Sequence, residues 1–183
     1  MKFLEWLEIN PQSINTTTIN CFGKGLTDLN GIEQFTNLKE LICSNNNLTK
    51  LPDLPNCIKL NCGHNQLTEL PELPVCEELY CYFNLLTKLP NLPNCRILCC
   101  EINQLSTLPK LPKNIEVLAC AANQLTELPE LPECVELYCD RNRIRKLPDL
   151  PKCTSLNCMI NQLTQLPDLP KCKTLYCSIN KIT

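Results

Sequence analysis

"CIKLNCGHNQLTELPELPV", residues 57–75, holds two patterns within one period. Its first half alternates, so that Leu60 and Cys62 point to one side, as a short strand requires. Its second half carries two prolines that fix φ and restrict the residues before them, which favours extended or polyproline II backbone over helix. Aligning on Leu41, Leu60, Leu79, Leu98, Leu118, Leu137, Leu156 and Leu175 gives steps of 19, 19, 19, 20, 19, 19 and 19 residues. The frame LxxLxLxxNxL, with cysteine at its first and third apolar positions, returns in "CEELYCYFNLL", "CRILCCEINQL", "CVELYCDRNRI", "CTSLNCMINQL" and "CKTLYCSINKI". It also holds from Ile115 in "NIEVLACAANQL", and in two earlier copies, "LKELICSNNNL" and the degenerate "TTTINCFGKGL", for nine units in all.

With about 19 residues per turn, successive strands can only lie parallel, roughly 4.8 Å apart, and crossovers between parallel strands are right-handed. The predicted fold is a β-rich right-handed solenoid. Its parallel sheet forms the concave face, polyproline II or extended segments form the convex face, and no convex helices are expected. "KFLEWLEI", residues 2–9, puts Phe3, Leu7 and Trp6 at helical spacing ahead of Pro11, which predicts a short capping helix. The expected domains are an N-terminal cap at 1–15 and a solenoid of nine strand-bearing units at 16–183, without a C-terminal cap.

These repeats resemble leucine-rich repeats. The "LTxLPxLP" half resembles the short repeats of the YopM and IpaH bacterial effectors, most closely in the 20-residue copy "LPKLPKNIEVLAC". The cysteine-bearing 19-residue copies resemble leucine-rich repeat proteins of giant viruses, and the first unit, "GLTDLNGIEQFTNLKE", resembles internalin repeats. The resemblance implies a protein-binding module, host-directed if the effector or viral likeness holds. An IpaH-type ubiquitin ligase would need a catalytic domain beyond the repeats.

Sixteen cysteines invite a metal or redox reading, above all in "LPNCRILCCEINQL", residues 92–105. Fifteen of them fall on the lattice. Cys21, Cys43, Cys62, Cys81, Cys100, Cys120, Cys139, Cys158 and Cys177 take the second inward position of each strand. Cys57, Cys76, Cys95, Cys134, Cys153 and Cys172 take a slot where Leu38 and Ile115 stand in other copies. A position that accepts leucine or isoleucine asks for a buried small hydrophobe. Zinc needs four converging ligands, and the chain has one histidine, His64, read as incidental. Only Cys99 escapes the lattice. Alternation turns it outward, and Arg96, close in sequence, is a candidate for lowering its pKa.

The asparagine column Asn46, Asn65, Asn84, Asn103, Asn123, Asn142, Asn161 and Asn180 is expected to satisfy backbone groups where each strand turns away. The outer column Lys50, Glu69, Lys88, Thr107, Glu127, Lys146 and Gln165 often alternates in sign, which predicts weak ion pairs between turns.

Outward strand residues make the concave surface. Its middle gathers Tyr80, Tyr82, Phe83, Ile97, Cys99, Ile102, Val117 and the small Ala119, Ala121 and Ala122. Tyr138, Met159 and Tyr176 continue the same columns. This predicts an exposed apolar patch with an acidic and aromatic rim, suited to a protein partner. The leading function is therefore a non-catalytic interaction module that binds a protein through its concave face. The alternatives are a thiol-rich metal or redox buffer and a structural array element.

No nucleophile converges with a positioned base, so no enzyme is expected, and no cofactor. The formal net charge of -2 gives no lead toward nucleic acid or anionic membrane. No apolar run is long enough to span a bilayer, and the start lacks a leader's features, so a cytoplasmic protein with reduced thiols is expected, in a host cytoplasm if viral or injected. The uncapped last strand, residues 175–182 with Leu175 and Ile182, leaves an open edge. Either the native chain continues, or two such edges pair as a homodimer; pairing is the expectation.

Overall fold

The computed structural model describes residues 1–182; position 183 of the expected solenoid lies outside the described residues. Among the described residues, nine three-residue strands pair in parallel and in chain order: β1 (Thr18–Asn20), β2 (Glu40–Ile42), β3 (Lys59–Asn61), β4 (Glu78–Tyr80), β5 (Ile97–Cys99), β6 (Val117–Ala119), β7 (Glu136–Tyr138), β8 (Ser155–Asn157) and β9 (Thr174–Tyr176). The result is the β-solenoid that the period demands. Leu41 stands beside Leu60, and Leu60 beside Leu79. The 20-residue unit keeps register, with Leu98 beside Leu118, because its extra residue falls after Pro112 on the convex side. A slip of one residue would turn every inward leucine and cysteine to solvent, so burial itself holds the register.

Inside, Leu60, Cys62, Leu67 and Leu73 of one turn are buried, and Leu70 is half-buried. Burying one leucine contributes roughly 1.5–3 kcal/mol. No turn can bury these side chains alone, so each stabilises its neighbours. The "LPxLP" segments are not helical, as their prolines dictate. The first unit has no such prolines, and there the expectation of a helix-free convex side fails: Ile32–Gln34 forms a 3₁₀ turn that buries Ile32.

Helix α1 (Phe3–Ile9) covers the first turn. Phe3 and Trp6 are its buried residues, while Leu7, expected on the same face, is only half-buried. Phe3 stacks on Trp6 with ring centroids 5.5 Å apart and meets Phe35 edge-on at 6.5 Å.

The asparagine column does what was expected of it. Asn84 Nδ2 donates to the carbonyls of Cys62 and Cys81, both at 3.1 Å, and Asn84 Oδ1 accepts the Leu67 N–H at 2.9 Å. The same set recurs at Asn65, Asn103, Asn123, Asn142, Asn161 and Asn180. In the degenerate first copy Lys24 takes the asparagine position, and its N–H donates to Asn46 Oδ1 at 3.0 Å.

The expected ion pairs of the outer column do not form: among the described residues, none involves Lys50, Glu69, Lys88, Glu127 or Lys146. Instead Lys59 bridges Glu40 (3.6 Å) and Glu78 (3.3 Å), Arg96 meets Glu116 (2.8 Å), and Lys152 meets Glu133. Lys59, Glu40 and Glu78 lie on strands held at ladder spacing, whereas convex side chains have no ladder to fix their separation.

Candidate functional site

The residue after each outward pair is the first surprise of the concave side. Asn45, His64, Phe83, Ile102, Ala122, Arg141, Ile160 and Ile179 all have φ between 51° and 57°, and Gly23 of the first copy has 65°. Here the backbone turns out of the sheet toward the buried asparagine. The ladder bonds persist through the turn, with His64 N–H donating to the Tyr82 carbonyl at 2.9 Å. Left-handed backbone disfavours branched side chains, so Ile102, Ile160 and Ile179 are strained. Gly23 and Asn45 were the sequence signal for this column, and the alternation reading passed over it.

The predicted face residues share one surface, but it is less open than expected. Tyr80, Tyr82, Ile97, Cys99, Val117, Tyr138 and Met159 are half-buried, whereas Phe83, Ile102 and Tyr176 are exposed. Ala119 is buried, at 4% exposure, and so does not belong to an exposed patch. Ser44, in an outward column, is buried too.

Tyr82 is not a free anchor. A Cβ at Gly63 would lie 2.8 Å from the Tyr82 ring, so the ring rests on the glycine backbone of the preceding turn. His64 stacks on Phe83 at 4.3 Å and meets Tyr82 edge-on at 5.3 Å. The histidine read as incidental thus supports two of the face aromatics. Tyr80 and Tyr138 are also tied down, their hydroxyls donating to Glu78 Oε2 (3.2 Å) and Glu136 Oε2 (3.1 Å). Burial, then the neighbouring Glu78 charge, pushes the Tyr80 phenol up to about 12.

The suggestion that Arg96 activates Cys99 is overturned. Both Arg96 Nε and Nη2 are engaged with Glu116, and burial, followed by the charge of Glu101, pushes the Cys99 thiol up to about 12. A thiol so shifted is almost wholly protonated near neutrality and a poor nucleophile.

Thirteen of the sixteen cysteines are buried, Cys99, Cys172 and Cys177 are half-buried, and all are free. Burial pushes the Cys57 thiol to about 11 and those of Cys76, Cys95 and Cys134 to about 12. In the first-slot column each thiol also donates to the carbonyl two residues on, as from Cys76 Sγ to Glu78 O at 3.3 Å and from Cys95 Sγ to Ile97 O at 3.2 Å. Among the described residues no group of three or more histidine, cysteine or acidic side chains is placed to hold a metal ion. No helix among them is long and apolar enough to cross a membrane. Near the N-terminal end a cavity of about 240 Å³ opens between Ile32, Phe35, Leu38, Leu54 and Cys57, where the 3₁₀ turn meets the first "LPxLP" segment.

No protein-family model matches the sequence, and no curated protein matches it. Solved structures do. The chain is similar to YopM, a leucine-rich effector protein from Yersinia pestis, with a TM-score of 0.79 and 34% identity over 98% of this chain and 52% of that one. The chain is a leucine-rich repeat protein. For this leucine-rich repeat chain, YopM from Yersinia enterocolitica gives a TM-score of 0.71 and 29% identity, over 97% of this chain and 49% of that one. The functional domain of InlJ from Listeria monocytogenes, which includes a cysteine ladder, gives 0.65 and 32%, over 91% and 45%. The chain spans about half the length of each of these structures.

Proposed function

We propose that this leucine-rich repeat chain is a non-catalytic protein-interaction module whose contact surface is the concave face of the central turns, around Tyr80, Cys99, Val117 and Tyr138. The observation that carries this reading is the set of half-open side chains Tyr80, Ile97, Cys99, Val117 and Tyr138 on β4 to β7, outside the core. Fixed tyrosines lose little conformational entropy on binding and suit interface centres. The likeness to a leucine-rich effector supports a host-directed role in the cytoplasm, where thiols remain reduced. A viral origin would fit the same chemistry.

Capture from host-cell lysate tests the surface. Tyr80→Ser with Tyr138→Ser should lose the bound protein, while the convex pair Lys88→Ser and Lys146→Ser should keep it. Retention by the concave variant, or loss by the convex one, would reject this face.

A further inference from the structure

We propose that the notch between Tyr80 and Tyr138 receives an arginine side chain presented by a partner protein segment, with Glu101 and Asp140 as its counter-charges. This rests on the concave-face reading and adds the chemistry of the occupant.

The notch follows from side-chain size. β4 and β7 are three strand spacings apart, roughly 14 Å. Across that interval the columns of Tyr80 and Tyr82 hold Cys99, the buried Ala119, Glu101 and Ala121, while Ile97 and Val117 stand in the column of Glu78 and Glu136. The two tyrosines form the walls, and their hydroxyl bonds to Glu78 and Glu136 hold the rings in place. Tyr82 rests on Gly63, the turn on the far side from Ala121.

Within the notch one group lacks a partner. Glu101 Oε2 is shielded from solvent and has no hydrogen bond. Among the described residues no basic nitrogen lies within 4.0 Å of Glu101; Lys59 is held by Glu40 and Glu78, and Arg96 by Glu116. Burial, and then the charge of Asp140, raises the Glu101 carboxyl above the usual range. Asp140 Oδ1 accepts from Asn157 Nδ2 at 2.9 Å, and its Oδ2 stands 3.9 Å from Arg141 Nε, too far for a hydrogen bond. Buried polar groups left without partners are rare in folded proteins. A guanidinium supplies forked donors to both carboxylates and stacks on tyrosine faces, which an ammonium does less well.

The test pans a displayed random octapeptide library on the full chain. A selected peptide and its citrulline copy are then titrated against the wild type, Glu101→Gln, Asp140→Asn and Ala121→Arg by fluorescence anisotropy. The expected result is arginine enriched at one position, with citrulline weakening binding about tenfold on the wild type and much less on Glu101→Gln and Asp140→Asn. Ala121→Arg should fill the notch and abolish binding while melting like the wild type. Absence of arginine enrichment, or of any selected peptide, overturns the inference, as does a citrulline penalty undiminished in both acid variants. Peptide binding retained by Ala121→Arg places the peptide elsewhere and rejects the concave face as well. Loss in Ala121→Arg with the penalty undiminished in the acid variants rejects Glu101 and Asp140 as the counter-charges and leaves the concave face standing.

Discussion

Asn84 Nδ2 donates to the carbonyl oxygen of Cys62, 22 residues earlier in the chain, at 3.1 Å. One amide thus ties together two turns and supplies the buried Leu67 N–H with its acceptor. Asn84→Ala strands the Leu67 N–H and takes one of two donors from each of the Cys62 and Cys81 carbonyls, which keep Asn65 Nδ2 and Asn103 Nδ2. The orphaned N–H costs about 1–3 kcal/mol, so this variant should be clearly destabilising although it removes no apolar side chain. Asn180→Ala, on the half-buried last turn, should cost clearly less, because water can replace its bonds. Urea unfolding of both variants measures this; equal losses would reject the role assigned to burial.

The buried thiols make stability fall in alkali. Desolvation raises Cys43, Cys81, Cys100 and Cys120 well above 9.0, whereas in the unfolded chain they ionise near that value. The folded state therefore binds more protons above pH 9. The thiol contribution is fully present below pH 9 and is lost as pH rises from there toward the folded pKa values. Each such thiol removes up to about 1.4 kcal/mol per pH unit in that window. Urea midpoints should be flat with respect to these groups between pH 7 and 8.5 and drop steeply from 9 to 10.5, less so in Cys81→Ala with Cys100→Ala. A midpoint that holds to pH 10.5 would contradict the burial.

Thiol counting separates an interaction module from a thiol buffer. At pH 7.5 the native protein should expose at most Cys99, Cys172 and Cys177 to a thiol-disulfide reagent, with Cys99 slow because its thiol is held protonated. Rapid reaction of most of the sixteen would restore the buffer reading.

Strain in the left-handed column predicts a gain of stability. Ile160 sits at φ 53° and is exposed, so Ile160→Asn should relieve a conformation that costs a branched residue about 1 kcal/mol. Ile160→Val keeps the branch and should gain nothing. Thermal melts of the two variants decide it; a gain for valine alone would refute the strain argument.

Most of the fold was legible because a solenoid writes its tertiary contacts as a period. The spacing of Leu41, Leu60 and Leu79 fixed strand order, direction and register, and the replacement of cysteine by Leu38 or Ile115 identified the thiols of that column as packing groups. The candidate face was legible only as columns. Alternation says which side chains point outward, but not that the Tyr82 ring settles on Gly63, that Arg96 turns to Glu116, or that Ala119 is covered.

The sequence by itself determined the inside of this protein, since one inward pattern repeated at 19 residues admits a single way of stacking. Only the tertiary structure decided the outside. A surface side chain chooses among rotamers and partners on adjacent turns at small energetic differences, and no period constrains that choice. Glu101 illustrates the point: its position in the outward column follows from counting, but its lack of a partner appears only when the neighbouring turns are in place.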